Sequence, residues 1–130
     1  MDENAITLTA TRGRVRLRLT ALPMGQDLCV TLTGGDRAHL GAVALAHPRP
    51  SLATPGRVGA TTSVLALSGH KEDDLARTLA SRLAIALEVT VCVACGIHVE
   101  HIQETELQDV QALADQLALA LADRLRTDCQ

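Results

Sequence analysis

Three stretches near the start of the chain alternate apolar and polar positions with a period of two. Ile6 and Leu8 alternate with threonines, Val15, Leu17 and Leu19 with Arg14, Arg16 and Arg18, and Leu28, Val30 and Leu32 with Cys29, Thr31 and Thr33. Alternation of this kind predicts half-buried antiparallel strands. Arg12-Gly13 reads as a hairpin turn and Pro23-Met24-Gly25-Gln26 as a slightly longer one. A short fourth strand is predicted over residues 42–46. An irregular connection then begins at His47-Pro48-Arg49-Pro50-Ser51 and runs through Pro55-Gly56 to about residue 59, its prolines holding the backbone extended and stiff. A fifth strand follows over residues 60–67.

The period then changes. Leu75, Leu79, Leu83 and Leu87 recur at helical spacing, with Glu72, Asp73 and Asp74 in the first turn, where carboxylates favour the positive end of the macrodipole. Residues 89–99 return to strand alternation, with Val89, Val91, Val93, Cys95, Ile97 and Val99 on one face. A last helix is predicted over residues 104–126, presenting Leu107, Val110, Ala114, Leu117, Leu121 and Leu125. The order β-β-β-β-β-α-β-α predicts a single α+β domain over residues 1–130. Its architecture is a two-layer sandwich: a mixed, mostly antiparallel sheet of about six strands, two helices on one face and one right-handed parallel crossover. Ala42, Ala44, Ala46 and the small residues between Thr90 and His98 are expected on the opposite face, as a ligand floor, an interface or a solvated surface.

Composition narrows the function. Hydrophobic residues make up 47 % of 130 positions, yet Phe, Tyr and Trp are absent, so the core is aliphatic and no ring is available for stacking. That counts against single-stranded nucleic-acid readers, and a net charge of −3 without a basic run counts against duplex binding. No apolar stretch approaches the roughly 18–20 residues of a membrane span, and Met1-Asp2-Glu3-Asn4 lacks the pattern of a signal peptide. A cytoplasmic protein that binds neither nucleic acid nor membrane is expected. Among the four cysteines, Cys92 and Cys95 form a C-x-x-C. Three residues apart on a strand they point to opposite faces, which favours buried small hydrophobes over a redox pair.

Candidate chemistry gathers in three glycine- and histidine-bearing segments: 34–41 (GGDRAHLG), 68–73 (SGHKED) and 95–99 (CGIHV). Each sits where a hydrophobic run stops, and each joins a backbone-permissive glycine to a titratable histidine. The Ser68–Asp73 segment admits two readings. Ser68 caps the helix and the acids complement its dipole, or the turn holds a phosphate. Three neighbouring carboxylates repel a bare phosphate, so the second reading calls for a divalent metal ion bridging carboxylate and phosphate. His39, His70 and His98 all fall at element ends, on what would be one edge of the sheet. His47 and His101 lack that context.

In order and spacing, five segments resemble one family: 34–45 (GGDRAHLGAVAL), 48–51 (PRPS), 60–64 (ATTSV), 69–73 (GHKED) and 96–99 (GIHV). They are similar to the prenylated-flavin chaperones, or LpdD-like proteins, the accessory subunits of gallate-type hydroxyarylic-acid decarboxylase systems. The resemblance implies a non-enzymatic carrier of prenylated FMN that serves a UbiD-type decarboxylase and receives cofactor from a flavin prenyltransferase. It implies that Thr61, Thr62, Ser68, His70 and Lys71 surround the phosphate, with a metal held by His70, Asp73 or His98. His39 and Arg49 would contact the flavin or its ribityl chain. The alternatives are a structural decarboxylase subunit without flavin, and a small metalloenzyme using His39, His70 and His98 around one ion. A homo-oligomer is expected, since a small domain with an exposed apolar face often buries it that way.

Overall fold

The structure, a computed structural model, describes residues 4–67 and 72–128. Its elements follow the order β1 (Ile6–Arg12), β2 (Val15–Met24), β3 (Asp27–Gly35), β4 (Arg37–Pro50), β5 (Val58–Ala66), α1 (Glu72–Leu87), β6 (Val91–His98) and α2 (Glu104–Asp128). The six strands form one mixed sheet in the order β1-β2-β3-β6-β4-β5. β3 and β6 run parallel at its centre, and the other pairings are antiparallel. This is the α+β sandwich that the alternation and helical periods predict.

The core lies between the sheet and the two helices. Val15, Leu17, Leu19, Val30, Leu32, Val91 and Val93 are completely buried on the sheet side, and Leu83 and Leu121 nearly so on the helices. α1 packs over β4, β5 and β6, while α2 covers β1 and β2. An Arg82–Asp115 ion pair at 3.0 Å ties the helices together. Each leucine taken fully from water contributes about 1.5–3 kcal/mol, so this aliphatic layer supplies the main driving force without any aromatic ring.

β4 departs from expectation in two ways. It extends over fourteen residues and includes Arg37 at one end and Pro48 and Pro50 at the other, where an irregular connection is predicted. Pairing with β6 stops at Ala46–Val91, so beyond that point β4 has β5 as its partner and tolerates proline as an edge strand does. The irregular connection shrinks to the turn between Ser51 and Arg57.

The second departure concerns the alanines. Ala42, Ala44 and Ala46 lie under α1 at 2 %, 0 % and 0 % exposure, and the open face of β4 carries Val43, Leu45 and His47 instead. Ala76, Ala80 and Ala84 of α1 are themselves completely buried. Small residues on both partners bring helix and strand close together. On β4, small side chains therefore mark tight packing rather than an open floor.

Candidate functional site

At one end of the sheet, β3 and β6 finish side by side while β4 begins and α1 and α2 start. The parallel register sets Gly34 opposite Ile97 and Gly35 opposite His98. Gly35 turns the chain with φ near +79°, and a Cβ there would lie 2.0 Å from the His98 carbonyl oxygen. The Asp36 N–H donates to that carbonyl at 2.6 Å, and the Asp36 carboxylate accepts from the Glu100 N–H at 2.7 Å. The glycine turn and the end of β6 are thus fastened together.

β4 then bulges between Ala38 and Ala42. The bulge carries the His39 carbonyl across β6, where a Cβ on Gly96 would meet it at 1.6 Å. Gly96 belongs to the small-residue row of β6, yet its missing side chain gives room to this crossing. The His39 ring reaches inward, with Nε2 3.0 Å from Oε1 of Glu72 at the first turn of α1. Glu72 is only 8 % exposed, and the same oxygen lies 3.4 Å from the Ile97 N–H that donates to it. Gly41 makes space for this carboxylate, since a Cβ there would sit 2.8 Å from Oε2.

His98 stands edge-on to His39, with ring centroids 6.2 Å apart and planes at 83°. Its Nε2 is 3.0 Å from the Glu100 carboxylate, and this hydrogen bond is the main reason the Glu100 carboxyl is held below its ordinary value. Arg14, at the start of β2, donates to the Glu100 carbonyl at 2.7 Å and to the Glu106 carboxylate at 2.8 Å. That arginine fixes the chain where it passes from β6 into α2.

Between the starts of α1 and α2 lies an open cleft of about 550 Å³ over the end of β6. Leu75, Ile97, Val99, Ile102, Leu107 and Val110 make its apolar wall. Glu72, Asp74, His98 and Gln111 supply its polar groups.

Of the residues singled out from sequence, His39 and His98 meet at this end, and Asp73 is half-buried in the first turn of α1. Ser68, His70 and Lys71 lie outside the described residues. Arg49 and Thr61 lie at the opposite end of the β4–β5 pair, ten residues along β4 from His39, or roughly 30 Å. There Arg49 donates to the Thr61 hydroxyl at 2.8 Å and to the carbonyls of Pro50 and Ala60, bracing its own hairpin. Thr62 is also near that end, its hydroxyl 2.6 Å from Ser81 of α1. Among the described residues, no group of three or more His, Cys, Asp or Glu side chains is placed to hold a metal ion.

Sequence reasoning treats Glu72 as a helix-dipole acid or one of the carboxylates that would bridge a metal to phosphate, not as an inward group. It also stands three and seven residues before Leu75 and Leu79, on the buried stripe of α1, and that spacing is the signal for an inward carboxylate. Cys92 and Cys95 face opposite ways as predicted. Cys95 is completely buried, with its thiol pushed up to about 12 by burial and then by Glu72, whereas Cys92 faces the open side. Cys29 is assigned no partner from sequence, yet it pairs directly with Cys92 in the β3–β6 register.

None of the helices in the described residues is long and apolar enough to cross a membrane. No curated protein sequence matches the chain. One chain from the crystal structure of a novel chaperone complex for yeast 20S proteasome assembly is similar in fold, with a TM-score of 0.56. The two are 16 % identical over 97 % of this chain and 98 % of that one. The family model for the prenylated flavin chaperone LpdD-like domain matches residues 11–126, from the end of β1 to the last turn of α2, and the chain belongs to that family.

Proposed function

We propose that this protein is a non-enzymatic carrier that holds prenylated FMN in the cleft at the end of β6 and supports its delivery to a UbiD-type decarboxylase. The observation that carries this reading is the joining, in one cleft, of an aliphatic wall to Glu72 and His98, with His39 behind them in contact with both. About 550 Å³ lies within the range of small-molecule sites, and an apolar lining with a few convergent polar groups is their usual chemistry. Ile97, Val99, Ile102, Leu107 and Val110 would cover the ring system and its prenyl-derived part. His98 would meet the polar edge of the flavin, and His39 would hold Glu72 in place behind it. Ser68, His70 and Lys71, which precede Glu72 in sequence, would meet the phosphate outside the cleft. Arg49, Thr61 and Thr62 take no part in this site. The cofactor supplies its chemistry in the decarboxylase; the carrier's residues bind, orient and shield it.

The test is a fluorescence and absorbance titration with FMN and prenylated FMN. The protein contributes no Trp or Tyr, so near-ultraviolet changes report the flavin. Leu107 is 43 % exposed on the cleft wall, so a polar replacement there should leave the domain folded. Leu107→Glu should weaken prenylated FMN binding at least tenfold and leave the thermal midpoint nearly unchanged. Wild-type protein that leaves prenylated FMN unbound at micromolar concentration would refute the reading.

A structural decarboxylase subunit without flavin is the second reading. It is favoured by Leu22, Leu45 and Leu65 on the open sheet face at 49 %, 52 % and 80 % exposure. Association with the decarboxylase that is indifferent to prenylated FMN and to Leu107→Glu would support it.

A further inference from the structure

Cys29 and Cys92 stand directly opposite each other on the parallel pair β3 and β6, the central seam of the sheet. The residues on either side of each cysteine (Leu28 and Val30, Val91 and Val93) are buried against the helices. Both thiols therefore project from the uncovered face, where both residues are half-buried. Paired strands lie about 4.8 Å apart, within the roughly 4.4–6.8 Å between Cα atoms that a disulfide bridges. The Cys92 thiol is pushed up by burial, and further by the charge of Cys29 and a hydrogen bond with it. Leu22 and Leu45 continue the same cross-strand row on either side and give the pair an apolar setting.

We propose that Cys29 and Cys92 form an oxidation site, closing to an intramolecular disulfide by exchange with a low-molecular-weight disulfide such as oxidised glutathione. The Cys29 thiolate attacks one sulfur of the reagent, its S–S bond breaks, and one glutathione leaves as thiolate. Cys92, whose ionisation its surroundings oppose, acts as the resolving thiol. Its thiolate attacks the Cys29 sulfur and displaces the second glutathione. Two protein thiols are oxidised by two electrons, and the reagent is reduced to two glutathione thiols that take up the two protons. The product staples the β1-β2-β3 meander to the β6-β4-β5 half of the sheet.

The experiment is incubation of the whole protein with oxidised glutathione, followed by intact mass, thiol titration and thermal unfolding. The expected result is a monomer that has lost two hydrogens and two free thiols, with its thermal midpoint raised by about 15 °C through closure of a loop of about 60 residues. Cys29→Ser and Cys92→Ser must each abolish the loss, whereas Cys95→Ser must leave it intact. A stable glutathione adduct, a disulfide-linked dimer, unchanged thiols, or a bridge that survives either serine variant would overturn the proposal.

Discussion

Adding one methyl group at Gly96 should cost more stability than most single changes in this protein. The Cβ of Gly96→Ala would fall 1.6 Å from the His39 carbonyl oxygen, 2.4 Å from its carbon and 3.1 Å from the Leu40 nitrogen. Real Cβ contacts begin near 3.0 Å, so the bulge must move by more than an ångström. All three atoms are backbone, and no side chain can rotate away. The displaced segment holds Arg37 against His98 and Ala38 against Ile97, and it rejoins the ladder at Ala42–Cys95. Losing two or three ladder hydrogen bonds at about 1 kcal/mol each, together with overpacking strain, gives about 3 kcal/mol. For 130 residues unfolding with about 2.1 cal/mol/K each, that lowers the thermal midpoint by about 11 °C. Gly13→Ala is the control: its φ of +59° is strained for alanine but nothing lies within 4 Å, so about 1 kcal/mol is expected. Urea unfolding of both variants decides the matter. A Gly96→Ala protein as stable as Gly13→Ala would refute the crossing of β4 over β6.

Two further outcomes follow from the ends of the sheet. Arg49→Ala removes the brace of the β4–β5 hairpin and should cost about 1 kcal/mol, while prenylated FMN affinity stays within twofold; a tenfold loss would move the binding site to the hairpin end. Arg14 holds the half-buried Glu106 carboxyl at about 2, below its ordinary value of 4.5, chiefly by a side-chain hydrogen bond and then by the Gln103 N–H. A carboxyl lowered in the folded state stabilises above its unfolded pKa and loses that contribution as pH falls through the folded one. Between pH 4.5 and 2 the wild type should therefore lose more stability than Arg14→Ala, and parallel urea midpoints for the two proteins across that window would contradict the pairing.

The elements were legible because period two and period 3.6 dominate an aliphatic chain, and because turn glycines separate them. The segments bearing His39 and His98 were legible as element ends, but what brings the two histidines together is strand order. β6 inserts between β3 and β4, and no local pattern specifies that insertion. The inversion at Ala42, Ala44 and Ala46 has a physical cause. A small side chain suits an open floor and close helix packing equally, and only the matching Ala76, Ala80 and Ala84 of α1 select the second. The resemblance groups Arg49 and Thr61 with the histidine segments, whereas an extended β4 carries Arg49, and its β5 partner strand Thr61, to the far end of the sheet. Cys29 and Cys92 are 63 positions apart in sequence and meet because the central pairing is parallel and in register.

Charge decides which part of a flavin suits the cleft. Glu72 and Asp74 line it, and Asp36 and Glu100 sit beside it at the end of β6. His39 and His98 are each engaged with a carboxylate, Glu72 and Glu100 respectively. A phosphate charge about 8 Å from one carboxylate would meet repulsion of about 2 kcal/mol at an effective dielectric constant near 20, repeated for each acid. The uncharged ring system and its prenyl-derived part meet no such penalty and gain from the aliphatic wall. On the proposed reading the flavin therefore enters ring first, with its phosphate directed outward. Carboxylates that would spoil a phosphate cradle then act as an orienting device, rejecting the reversed pose while leaving the apolar end free to bury. An aromatic platform is unnecessary for that arrangement, because leucine, isoleucine and valine cover a flat ring by dispersion and by exclusion of water.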